Sequence, residues 1–143
     1  MVDADVVARR VLALSKAIGH LKRSDADDAV RLASDAMLRA AAERWLQIAI
    51  EACIDIAYHV VAENEWTPPD AARGSFLTLA GHGVIDRDLA LRLGAAAGLR
   101  NVLVHDYVAV DLERLARVVR EDLDDLAQFG GVAARLVQEA NGS

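Results

Sequence analysis

Arg100, His105 and Tyr107 fall within eight residues, Arg100-Asn101-Val102-Leu103-Val104-His105-Asp106-Tyr107, at the end of a segment that otherwise reads as an apolar helix. A guanidinium is a planar, permanently charged fork that matches the oxygens of a phosphate. Imidazole, with an unperturbed pKa of about 6.5, gives or takes a proton near neutral pH. The pair is the smallest set that can cleave a phosphodiester without a metal ion. The Tyr107 hydroxyl can bind phosphate or accept a modification. The same spacing also occurs as a surface Arg and a half-buried His on an inert helix, so the octapeptide has to be weighed with its surroundings.

Those surroundings are helical. Val7, Val11, Leu14, Ile18 and Leu21 are spaced four, three, four, three, which puts them on one face of a bundle helix. Leu46, Ile50, Cys53, Ala57 and Val60 repeat the pattern in a second helix, expected from near Asp27 to near Glu63 with a bend at Ser34-Asp35. Asn64 to Ala72, with Pro68 and Pro69, reads as a loop. A short helix around Arg73 to Ala80 and a turn at Gly81-His82-Gly83 follow. Asp86 can cap a third long helix through Leu89, Leu93, Ala96 and Leu103, with a break expected over 106–110. Asp111 can cap the last main helix, carrying Leu112, Leu115, Val119, Leu123 and Leu126. Gly130-Gly131 is expected to interrupt it and leave a short or frayed tail. The expected fold is all-α, an antiparallel bundle of four to five helices forming one domain over 1–143.

Geometry sets a condition on the motif. Five residues of ideal helix turn about 500°, which leaves Arg100 and His105 roughly 140° apart around the axis. Either the helix ends near His105, so that His105 and Tyr107 project from a bend, or a second copy of the chain brings its own motif alongside.

Composition narrows the function classes. Apolar residues make up 54% of the 143 and aromatics 4%, so Ala, Leu, Val and Ile must build the core. A formal net charge of −6 argues against a general nucleic-acid coat, though not against a local basic cleft. The cations are nearly all Arg; only Lys16 and Lys22 are Lys. The lone Cys53 sits in an apolar helical stretch and reads as a buried, inert thiol. No signal segment is evident and uninterrupted apolar runs are short, so a cytoplasmic protein without membrane attachment is expected.

Arg-x4-His-x-Tyr in an all-helical chain resembles the HEPN superfamily, in particular its HepT branch. The likeness extends over most of the sequence. Trp45 through Ala57 and His59 to Glu63 resemble that branch's long second helix. Pro68, Phe76-Leu77, Leu79 and Gly83-Val84-Ile85 resemble its connecting segment, Leu99 to Tyr107 its signature, and the match continues to Phe129. The resemblance implies a homodimer whose two motifs face one cleft, giving an acidic chain a locally positive site.

It also implies an endoribonuclease toxin. The RNA 2′-hydroxyl attacks the adjacent phosphate and leaves a 2′,3′-cyclic phosphate and a 5′-hydroxyl. On this reading His105 is the general base or acid and Arg100 stabilises charge on the phosphoryl oxygens. Asn101 resembles the polar residue that often follows the Arg in HEPN motifs and can orient the His or the phosphate. Asp106 can fix the imidazole tautomer, or simply close a helix C-terminus. In HepT relatives the motif Tyr accepts AMP from an antitoxin of the minimal nucleotidyltransferase type, MntA, which uses ATP. Tyr107 is the matching position. AMP there would place a phosphate beside Arg100 as a tethered product mimic. No cofactor or metal is expected of this chain itself.

The remaining polar groups give weaker signals. His59 and Glu63 share a helix face and could ligate a metal, but nothing nearby in sequence completes a site. Glu51 and Asp55 can line the cleft or a dimer interface, or pair with an Arg. Gly81-x-Gly83 lacks the strand and third glycine of a dinucleotide loop. Two alternatives stand beside the nuclease: a non-catalytic HEPN module that binds nucleotide or nucleic acid and assists a nucleotidyltransferase, and a helical interaction protein without a site.

Overall fold

The computed structural model describes residues 3–105 and 111–142, with Val104 and His105 described by backbone alone. Asp106 and Tyr107, and the break expected over 106–110, lie outside the described residues. Every regular element among the described residues is a helix. There are seven: α1 (Ala4–Lys22), α2 (Ala29–Ser34), α3 (Ala36–Glu63), α4 (Ala72–Gly81), α5 (Arg87–His105), α6 (Leu112–Glu121) and α7 (Leu123–Gly142).

Aspartates begin most of them. Asp3, Asp28, Asp35 and Asp111 each accept backbone N–H groups from the first turn of the helix they precede. Asp86 accepts from Leu89 N–H at 2.7 Å. Each cap satisfies donors that a helix start leaves open, and its charge suits the positive end of the helix dipole. Five carboxylates of this acidic chain therefore have a local structural task. Asp111→Ala is expected to lower stability by about 1 kcal/mol, as a drop in thermal midpoint, because α6 would restart without its cap.

The ion pairs and ring contacts fix the bundle direction. Asp3 N–H donates to His59 Nε2, Arg10 pairs with Asp55, and His20 stacks on Trp45. Ascending numbers on α1 thus meet descending numbers on α3, and the two helices run antiparallel. Lys22 pairs with Asp124, and Gly130 faces Leu14, so α1 and α7 are antiparallel as well. α4 and α5 pack as a hairpin, and α3 lies against both. The stripes read from sequence meet in one core: Leu14, Leu21, Leu46, Ile50, Leu89, Leu93, Leu115 and Leu126 are each at most 1% exposed. Burial pushes the Cys53 thiol far up, which leaves it protonated and unreactive.

Three expectations need correction. The bundle has seven helices among the described residues, not four to five. The bend at Ser34-Asp35 is a full break, because the Asp35 carboxylate accepts Leu38 N–H and caps α3. The last main helix breaks at Asp122, between α6 and α7. Gly130-Gly131 does not interrupt the chain: α7 runs through both. A Cβ on Gly130 would lie 3.0 Å from Leu14 Cδ2. That glycine serves close approach of α7 to α1, and its backbone stays helical.

α3 is long and apolar enough by length and composition to cross a membrane, yet 56% of its most apolar window is buried inside the bundle. Its apolar surface is used by the helices packed around it. Beyond α3, Glu65 takes a left-handed φ of 57° and Trp66 N–H reaches back to Val61 O. Trp66 then stacks on His82, centroids 3.8 Å apart, which pins the loop to the end of α4.

Candidate functional site

Arg100 and Asn101 sit in the last turns of α5, and both line a groove of about 640 Å³. α3 contributes Tyr58 to this groove, the loop before α4 contributes Asp70, the start of α4 contributes Arg73, and α6 contributes Arg114. Arg100 is half-buried and Asn101 exposed. The Arg100 Nε is fully buried and, among the described residues, is the one buried side-chain polar atom without a hydrogen-bond partner. A buried guanidinium N–H without an acceptor costs on the order of 1–3 kcal/mol, more for a charged group.

The local charge has the sign that phosphate requires. Arg73, Arg100 and Arg114 form no ion pair among the described residues, although Arg10, Arg31, Arg39 and Arg92 do. The groove holds one carboxylate, Asp70, against three guanidinium groups. A second groove of about 600 Å³, between α2 and α6, has the opposite character. Asp25, Asp27, Asp28 and Glu113 line it, while its Arg31 pairs with Asp25 and its Arg120 donates to Asp27 O. Phosphate would be repelled there.

α5 is described as far as His105. His105 lies about 7.5 Å further along the axis than Arg100. Its side chain, with Asp106 and Tyr107, lies outside the described residues. The structure thus brings Arg100 and Asn101 to one groove and leaves the convergence of His105 and Tyr107 on it as a proposal.

The other candidates have structural partners. Glu51 accepts from Gln47 Nε2 at 3.3 Å, and Asp55 pairs with Arg10, the Arg pairing anticipated for it. His59 is used by the start of α1, and Glu63 is also engaged. Among the described residues no three His, Cys, Asp or Glu side chains gather as a metal site.

Sequence reading missed Tyr58, Arg73 and Arg114. Each comes from a different helix, and no spacing rule links them. One signal was present in α5: Gly94, Gly98 and Asn101 follow an i, i+4, i+7 pattern, a small and polar face on an apolar helix.

Known proteins resemble this chain in sequence and in fold. Residues 14–131 match the model of the family described as ribonuclease HepT-like. The mRNA nuclease HepT of Shewanella oneidensis is 31% identical over 125 residues, 87% of this chain and 93% of that protein. The tRNA nuclease HepT of Aphanizomenon flos-aquae is 24% identical over 110 residues, 77% of this chain and 75% of that protein. Among solved structures, the tri-AMPylated Shewanella oneidensis HEPN toxin in complex with MNT antitoxin superposes with a TM-score of 0.83 at 30% identity, covering 92% of this chain and 98% of that one. The match over 118 residues, together with a relative above 30% identity along nearly its full length, establishes that this chain belongs to the HepT-like ribonuclease family.

Proposed function

We propose that this chain, as one domain over 1–143, is a metal-independent endoribonuclease toxin of the cytoplasm. It acts as a homodimer and is silenced by AMP placed on Tyr107. The observation that carries the reading is the groove lined by three guanidinium groups, Arg73, Arg100 and Arg114, with Arg100 on the helix that also bears His105. Family membership and the nuclease names of two relatives support it.

The chemistry assigned to these residues is intramolecular transesterification. One His105 takes the proton of the RNA 2′-hydroxyl as its oxygen attacks phosphorus. The P–O5′ bond breaks, and a protonated imidazole, supplied in the dimer by the second copy, gives its proton to the leaving O5′. Arg100 faces the charge growing on the non-bridging oxygens, where a preorganised cation acts most strongly. Asn101, one residue on, helps orient phosphate or imidazole, and Asp106 holds the imidazole tautomer. The products are a 2′,3′-cyclic phosphate and a 5′-hydroxyl.

Regulation follows from the same groups. A nucleotidyltransferase partner of the MNT type would transfer AMP from ATP to the Tyr107 oxygen, releasing pyrophosphate. The new phosphodiester would occupy the Arg100 site and exclude substrate. The neighbouring solved structure is of a tri-AMPylated toxin with its MNT antitoxin, and this supports the proposal.

The test uses purified chain whose intact mass excludes bound AMP. It is expected to cut RNA in EDTA, with cyclic-phosphate and 5′-hydroxyl ends. Chain carrying AMP on Tyr107 is expected to be inactive, and Tyr107→Phe to resist silencing by partner and ATP. Loss of cleavage in EDTA with recovery on adding Mg²⁺ would refute metal independence. RNA binding without cleavage by AMP-free dimer would point instead to a binding module.

A further inference from the structure

We propose that the groove along α5 is a binding subsite for single-stranded RNA flanking the cut. A base stacks on Tyr58, Arg73 and Arg114 hold neighbouring phosphates, and the sugar-phosphate chain passes over Gly98. The proposal rests on the nuclease reading for the position of the scissile phosphate. Its observations concern a different part of the groove.

The two glycines do different things. A Cβ on Gly94 would lie 3.0 Å from Arg73 Cγ and 3.3 Å from Arg73 Nε. Gly94 therefore lets the Arg73 side chain lie across α5, with its head held over the groove. A Cβ on Gly98 would meet nothing within 4 Å. Packing does not explain a glycine there, and a helix interior is less stable with Gly than with Ala. The open space above Gly98 is space for a ligand, between the Arg73 and Arg100 positions. Gly94 and Arg100 are about 9 Å apart along the axis, room for on the order of one or two nucleotides. A volume of about 640 Å³ agrees with that.

Tyr58 identifies the strand as unpaired. Tyr58 is 37% exposed on α3, a helix whose apolar side chains are mostly buried, and it lines this groove. A partly exposed aromatic side chain beside unpaired guanidinium groups is the arrangement that binds single strands, by stacking with backbone neutralisation. Duplex RNA offers no free base face and is held across a much wider footprint.

The experiment uses AMP-free full chain and two probes. One is a cleavable single-stranded oligoribonucleotide, for kcat and KM. The other is the same sequence fully 2′-O-methylated, which cannot be cut and reports binding by fluorescence anisotropy. Tyr58→Ala and Gly98→Leu are expected to raise KM and the Kd of the uncut probe by about tenfold to a hundredfold, and Tyr58→Phe to restore wild-type values. Arg73→Ala and Arg114→Ala should each reduce the slope of log K against log salt by about 0.7. Circular dichroism confirms that each variant folds. Cleavage with unchanged KM and Kd in folded Tyr58→Ala and Gly98→Leu overturns the subsite and leaves the nuclease reading intact. Probe binding that weakens as expected, in a protein that never cuts, keeps the subsite and overturns the nuclease reading. Sedimentation showing that Gly98→Leu dissociates an oligomer would assign the groove to a second copy of the chain and overturn the proposal.

Discussion

His105→Ala is expected to lower RNA cleavage by about 10²–10⁴, the usual worth of a positioned acid–base group. Arg100→Ala should cost on the order of 10²–10³ by removing a preorganised cation from the phosphoryl oxygens. The two variants should fail in different ways. Arg100 reaches the groove wall with its Nε already desolvated, so its removal affects substrate grip as well as the chemical step. A loss in both KM and kcat is expected. His105→Ala should act mainly on kcat. Arg100→Lys should recover little, since a point charge replaces a planar fork. Arg100 lines the groove, whereas Leu89, Leu93 and Leu99 of the same helix are buried in the core, so the thermal midpoint of Arg100→Ala should change little. Full cleavage rates in either folded variant would sink the assignment.

The fold was largely legible because its strongest signals are periodic. The α1 and α3 stripes, the Asn64 to Ala72 loop, the short α4 and the caps at Asp86 and Asp111 all follow from spacing and cap chemistry. The misreadings share a cause. The Asp122 break has no Pro or Gly, and the apolar rhythm from Leu112 to Leu126 continues through it. Gly130-Gly131 looks like punctuation, but Gly130 is demanded by Leu14, more than a hundred residues away in sequence. Local rules cannot see either. The site divides the same way. Arg100 and Asn101 were legible as a motif on one helix. Tyr58, Arg73 and Arg114 join them only through the packing of α3, α4 and α6 around α5.

Phe129→Ala is expected to destabilise the protein by about 3–5 kcal/mol, the cost of emptying an aromatic site in a packed core. Phe76 and Phe129 are the only two phenylalanines of the chain, and they meet edge to face, centroids 5.6 Å apart at 86°. Each is 1% exposed. The alanine variant therefore leaves a cavity and also strips Phe76 of its ring contact, which is worth about 0.5–1.5 kcal/mol beyond area. Small domains have only about 5–15 kcal/mol in total, so the thermal midpoint should fall by on the order of 10 °C. Urea unfolding should show a lower midpoint with an unchanged slope. Phe129→Leu, which fills most of the volume, should lose much less. The pair also joins α7 to α4, and α4 carries Arg73 over Gly94 of α5. Cleavage by Phe129→Ala should therefore weaken before global unfolding, through a rising KM as α4 loosens. A midpoint within 2–3 °C of wild type would show that this contact is not the clamp between α7 and the α4–α5 hairpin, given that about 1 kcal/mol shifts the midpoint of a chain this size by that much.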